Sequence, residues 1–193
     1  DIGYALFDGL GRAVQTQAAA DGGGTIVATT GYDSAARANW QDNSYWTTSV
    51  SPSATLFVPS TETSIPSQMR TTYDAAGRAT AIATWQTGTE RFETDHVYRG
   101  ADRVDTTPPA GGTATSVYTD SLGQKAKLVQ YLGGTVSGTG QATTYGYNAA
   151  GQMTRMTDPA GNVWTWAYDV LGRQVTAADP DTGTTTSSYD DAG

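Results

Sequence analysis

Between residues 163 and 168 every second position is aromatic: Trp164, Trp166 and Tyr168 alternate with Val163, Thr165 and Ala167. A period of two puts the rings on one face of a β-strand and the smaller residues on the other. The same alternation predicts strands at 79–86, 91–98, 103–107, 113–119, 124–131, 141–147, 152–157, 173–178 and 184–189. Turn residues separate them, at Thr87-Gly88, at 108–112, at 132–140, at Asp158-Pro159-Ala160-Gly161-Asn162 and at Asp179-Pro180-Asp181-Thr182-Gly183. Runs of this length joined by loops this short make consecutive antiparallel hairpins, so the chain reads as an all-β meander.

One turn sequence recurs. Phe7-Asp8-Gly9-Leu10-Gly11-Arg12, Tyr73-Asp74-Ala75-Ala76-Gly77-Arg78, Tyr147-Asn148-Ala149-Ala150-Gly151-Gln152, Tyr168-Asp169-Val170-Leu171-Gly172-Arg173 and Tyr189-Asp190-Asp191-Ala192-Gly193 are copies of it. Weaker copies stand at Tyr32-Asp33-Ser34-Ala35-Ala36-Arg37, at Tyr98-Arg99-Gly100-Ala101-Asp102-Arg103 and at Thr119-Asp120-Ser121-Leu122-Gly123-Gln124. From Tyr147 the aromatic returns every 21 residues. The first turn residue (Asp8, Asp74, Asn148, Asp169, Asp190) is expected to accept hydrogen bonds from amides further along. The glycine (Gly11, Gly77, Gly151, Gly172, Gly193) is expected to take positive φ, giving a type I turn closed through a bulge. The aromatic recurs once per copy, at Tyr73, Tyr98, Tyr147, Tyr168 and Tyr189, as a packing element does. Arg12, Arg78 and Arg173 are expected to lie over the preceding aromatic or to pair with a neighbouring repeat's carboxylate.

Composition narrows the chemistry. Threonine is the commonest residue, with 23 Gly, 11 Tyr and 5 Trp, which suits pleated strands and tight turns. A net charge of −8 leaves no basic stripe to follow a phosphate backbone, so nucleic acid is not an expected partner. No Cys and one His exclude disulfides, thiolate chemistry and Cys/His zinc sites. No apolar run approaches the ~18 residues of a membrane span, and the first residues lack a signal-peptide pattern. No cofactor and no metal are expected: each repeat offers one carboxylate followed by small residues, unlike the closely spaced ligands of a calcium loop.

The expected organisation is one repeat array over 1–193, a fragment of a longer chain, because neither end looks like a cap. A loop-like insertion at about 38–70 stretches one interval to 41 residues, and Pro52, Pro59 and Pro66 disfavour a central strand there, so an ordered loop or an edge excursion is expected. It carries Trp40, Trp46 and Phe57. Trp40, Tyr45 and Trp46, beside Asn39, Gln41, Asp42 and Asn43, have the ring-plus-amide composition of a sugar-binding surface, the candidate glycan site. His96 adjoins Asp95, but strand neighbours face opposite sides, so no catalytic dyad is expected.

The Tyr-Asp-x-x-Gly-Arg copies, the Asp-Pro-Ala-Gly-Asn turn and the 21-residue period resemble the YD repeats of bacterial RHS proteins, with related repeats in Tc toxin BC components and teneurins. The resemblance covers nearly the whole chain, the 38–70 insertion being its least typical part. It implies a curved, spiralling β-sheet, a segment of a hollow shell that encloses or presents a C-terminal toxin in a secreted or cell-surface protein. The implied partners are neighbouring repeats, a toxin domain and, in a second reading as an adhesion module, glycan or cell wall. Shells of this kind commonly end in a self-cleaving core that uses Asp-Pro-x-Gly elements. Asp158-Pro159-Ala160-Gly161 has that form, but the copy at Asp179 has an extra residue and the core context is missing, so both are read as hairpin turns and no enzyme is expected.

Overall fold

In a computed structural model, residues 3–190 can be described, and they form sixteen β-strands and one short 3-10 turn. The chain divides into two compact units, 1–95 and 96–193.

The first unit holds β1 (Gly3–Phe7), β2 (Ala13–Ala19), β3 (Thr25–Tyr32), β4 (Ala38–Asp42), β5 (Tyr45–Thr47), β6 (Gln68–Tyr73), β7 (Ala79–Gln86) and most of β8 (Thr89–Arg99). They pair antiparallel in the order β1-β2-β3-β4-β6-β7-β8, with β5 beside β3. Besides β2, β3 serves two further partners: Thr30 to Tyr32 pair with β4 and Thr25 to Val27 with β5. The second unit, taken by itself, holds the end of β8 and then, each strand beside the next, β9 (Arg103–Thr107), β10 (Ala114–Thr119), β11 (Lys125–Tyr131), β12 (Gln141–Tyr147), β13 (Met153–Thr157), β14 (Val163–Tyr168), β15 (Gln174–Asp179) and β16 (Gly183–Thr186). This is the all-β hairpin meander that the alternation predicts, with β7, β9, β12 and β14 at the expected bounds.

The segment 38–70 departs from expectation. It is not loop throughout: β4 lies between β3 and β6, and β5 lies beside β3. The prolines that argued against a central strand all lie outside the strands, at 52, 59 and 66, so the restriction on proline governs only the connection. That connection runs as a strap, 48–67, carrying the 3-10 turn Glu62–Ser64.

Little of the molecule is deeply buried, and polar side chains dominate what is. Val27, Tyr45, Ala83, Ala114, Val129 and Tyr131 are the buried apolar residues, beside buried Gln15, Gln17, Thr25, Thr29, Asp42, Gln68, Asp105 and Ser116. Hydrogen-bond networks therefore carry much of the packing, since a buried polar group without a partner is costly.

In the first unit Gln15 and Gln17, two apart and on one face of β2, reach the strap. Gln15 Nε2 donates to the Phe57 carbonyl (2.8 Å) and Oε1 accepts from the Phe57 amide (2.9 Å). Gln17 does the same with the Thr55 carbonyl (2.8 Å) and the Ser53 amide (3.0 Å). These amides act as a surrogate strand edge for the strap. In the second unit Ala114, Val129 and Tyr131 form the apolar centre, and Asp105 anchors a polar knot with Arg99, Arg103 and Ser116, the last also bonded to Tyr131.

Candidate functional site

The recurring turn is one geometry repeated. At Asp8 the backbone amide donates to the Arg12 carbonyl (2.9 Å), and the Gly11 amide donates back to the Asp8 carbonyl (3.0 Å). Oδ1 accepts from the amides of Leu10 and Arg12, and Oδ2 takes the Arg12 guanidinium through Nε and Nη2. Asp33 and Asp74 repeat every one of these contacts with Arg37 and Arg78, and Asp169 repeats them with Arg173 with the ion pair made through Nε. Gly11, Gly77, Gly151 and Gly172 stand at φ between +77° and +83°, where Ala36 also stands at +66°. A register shift precedes each of these turns at the aromatic position, as at Thr72/Tyr73 and Ala167/Tyr168, so the bulge belongs to the motif. Asn148 keeps the amide contacts and exchanges the ion pair for a hydrogen bond to Gln152. Asp190 begins the last copy, whose Gly193 lies outside the described residues.

These contacts also set the charge state. The Arg12 amide and guanidinium hold the Asp8 carboxyl below its usual range. At Asp33, Asp74 and Asp169 the amide of the arginine does most of the same work against a smaller opposing cost of burial.

Arg12, Arg37 and Arg173 are each fixed by the carboxylate of their own turn, not by that of a neighbouring repeat, and reach forward to the ring of the following copy instead of back over the preceding one. Arg12 stacks over Tyr32 (4.2 Å to the ring centroid), Arg37 over Tyr73 (4.6 Å) and Arg173 over Tyr189 (4.6 Å). Arg78 is paired with Asp74. Where Gln replaces Arg, its amide makes the same forward reach: Gln124 Nε2 donates to the Gly151 carbonyl and Gln152 Nε2 to that of Gly172. The tyrosines answer backward. The hydroxyls of Tyr32, Tyr73, Tyr147, Tyr168 and Tyr189 donate to the carbonyls of Ala13, Ala38, Lys125, Met153 and Gln174. In each case the acceptor directly follows the Arg or Gln of the earlier turn. Adjacent hairpins are thus stapled by a forward cation or amide and a backward hydroxyl, contacts that strand alternation alone does not reveal.

The remaining candidates are dispersed. Tyr45 and Trp46 do not present one surface: Tyr45 is 8% exposed and Trp46 59%. The Trp46 indole donates to the Gly23 carbonyl, while Trp40 packs against Gly31 where a β-carbon would stand. Asp42 is buried under Gln68, and burial raises its carboxyl against the opposing pull of Gln68, Thr29 and Arg70. His96 Nδ1 contacts the Thr106 hydroxyl. Asp158 caps its own turn through the amide and side chain of Asn162, and Asp179 caps through the amides of Asp181 and Thr182 and accepts from the Trp164 indole. Among the described residues no three His, Cys, Asp or Glu side chains cluster as a metal site, and no helix is long and apolar enough to cross a membrane.

Comparison with known proteins agrees with this geometry. The RHS repeat family model matches residues 134–163 and 147–184. No curated protein sequence matches the chain. Among solved structures, the crystal structure of TcdB2-TccC3 without its hypervariable C-terminal region is similar in fold, with a TM-score of 0.54 at 16% identity over 99% of this chain. The chain spans 11% of the length of that one. The family signature lies on the copies that turn at Asn148 and Asp169, so residues 134–184 carry RHS repeats.

Proposed function

We propose that this chain is a non-enzymatic wall segment of an RHS/YD-repeat shell, part of a secreted or surface-delivered bacterial protein whose shell encloses or presents a C-terminal toxin. The observation that carries this reading is the staple. The turn carboxylates hold the arginines in place, and those arginines and the tyrosine hydroxyls fasten one hairpin to the next. Residues spent on mutual attachment suit a wall, and the similar fold within a Tc toxin structure supports that use. The glycan-binding reading is weaker, because its three aromatic residues face different surroundings and only Trp46 is largely exposed.

Limited proteolysis of the intact parent protein tests the proposal. A C-terminal domain protected while the repeats are intact, and digested once staple substitutions such as Arg173→Ala loosen them, is the expected result. A C-terminus digested equally in both overturns enclosure. Glycan-array binding abolished by Trp46→Ala replaces it with the adhesion reading.

A further inference from the structure

In the first unit the strap does not lie flat on the sheet. Between residues 56–65 and the face formed by β3, β4 and β6 is an open cavity of about 730 Å³. Close-packed proteins hold few voids larger than a water molecule, and ligand sites run from roughly 300 to 1,000 Å³. The strap side is apolar, with Leu56, Val58, Pro59 and Ile65, and Trp40 adds an aromatic surface from β4.

Arg70 is the cation of this cavity. On the β4–β6 ladder it stands opposite Trp40, and its guanidinium lies 3.9 Å over the Trp85 ring. Nε donates to Gln68, and Nη2 makes one contact of 3.0 Å with Glu62 Oε1. Among the described residues no acceptor for Nη1 accompanies these two contacts. The Glu62 side chain is 63% exposed and that of Arg70 32%, so this single-contact ion pair is readily exchanged with solvent. Arginine binds a carboxylate best through two parallel hydrogen bonds, and Glu62 supplies one.

We infer that the cavity beneath the strap binds an apolar carboxylate, a free hydrophobic acid or the C-terminal residue of a peptide, whose carboxylate displaces Glu62 from Arg70 while its apolar body rests on Trp40, Leu56, Val58 and Ile65. Glu62 is the internal stand-in for that carboxylate.

The test titrates the full chain with 3-phenylpropionate, N-acetyl-leucine and acetyl-Gly-Gly-Leu, the last with its C-terminus free or amidated. Tryptophan fluorescence follows binding, because Trp40 lines the cavity and Trp85 underlies Arg70. Saturable binding of the free acids, at least tenfold weaker for the amidated peptide, is expected from the loss of a charge-assisted pair. Glu62→Gln, at an exposed position, should tighten binding several-fold by removing the competitor, and Arg70→Met should weaken it about tenfold or more. Tighter binding of the peptide than of the single acids assigns the site to chain ends, and the reverse to small molecules. No saturation into the millimolar range, equal binding of the amidated peptide, or unchanged affinity in Glu62→Gln overturns the proposal.

Discussion

The Arg37 guanidinium lies 4.6 Å over the ring of Tyr73 and donates from Nη1 to the carbonyl of Asp74, 37 residues further along the chain. The strap, β4 and β5 all lie between these partners in sequence, yet the contact has the form seen at Arg173 and Tyr189, where no insertion intervenes. A staple that survives such an insertion is set by neighbouring turns in space and not by repeat length.

Removing the backward half of a staple should therefore cost the same sign of energy in either unit. Tyr73→Phe and Tyr168→Phe each delete a hydroxyl bonded to a carbonyl, at 2.7 and 2.8 Å, and keep the ring. Each should lower stability by about 0.5–1.5 kcal/mol in urea unfolding, while Arg91→Ala on an exposed strand position stays within about 0.5 kcal/mol. Equal losses in all three would show that the hydroxyls contribute nothing particular.

Ala36 occupies the position that glycine fills in the stronger copies and still takes φ +66°. A β-carbon in the left-handed region costs about 1 kcal/mol. Ala36→Gly should raise stability by up to about that amount, offset in part by the greater freedom of glycine in the unfolded chain, and Gly172→Val should lower it by more than about 1 kcal/mol. Thermal unfolding of the two variants checks the opposite signs.

The turn and strand pattern was legible because it depends on local chemistry: period-two alternation at Trp164, Trp166 and Tyr168, a side-chain acceptor at Asp169, and glycine at 172. What stayed hidden depends on long-range direction. Nothing local tells whether Arg12 folds back to Phe7 or forward to Tyr32, because the choice follows from how Asp8 clamps the guanidinium and where the next hairpin lies. The strand character of Ala38–Asp42 and Tyr45–Thr47 was masked by prolines that fall only in the connection after them. Trp40, Tyr45 and Trp46, within seven residues of one another, were grouped by composition, whereas strand alternation separates Tyr45 from Trp46 and Trp40 packs closely on Gly31 from another strand.

Acid should loosen the staples. The turn aspartates Asp8, Asp33, Asp74 and Asp169 have folded-state carboxyls held below the usual carboxylate range by the amides and guanidinium groups of their arginines. A depressed folded pKa adds stability that is fully present above the unfolded value and disappears as pH falls through the folded one. Stability should be flat with respect to these groups near neutrality and decline below about pH 4. The chain contains its own neutral reference in Asn148 with Gln152. The double substitution Asp169→Asn with Arg173→Gln should retain the turn and shallow the acid limb of an unfolding curve measured from pH 6 to pH 2. An unchanged acid limb would mean that other carboxylates govern acid unfolding.

Gln15 offers the sharpest test of how the strap is held. Its amide pairs with both the amide and the carbonyl of Phe57, and its Nε2 also meets the Thr29 hydroxyl at 3.1 Å. Gln15→Leu fills similar space but leaves those groups, and the Gln17 amide that donates to Gln15 Oε1, without their partner. The expected loss is about 2 kcal/mol or more, with new protease cleavage confined to 48–67. Gln15→Glu separates hydrogen bonding from packing. A carboxylate still accepts from the Phe57 amide but cannot donate to its carbonyl, and burial raises its folded pKa above the unfolded value. The penalty is then full above the folded pKa and relieved as pH falls through it, when the protonated acid regains a donor. Strap cleavage in Gln15→Glu should diminish between pH 7 and pH 5, whereas in Gln15→Leu it should not change. Identical pH behaviour in the two variants would mean that the strap is held by packing and not by this amide ladder.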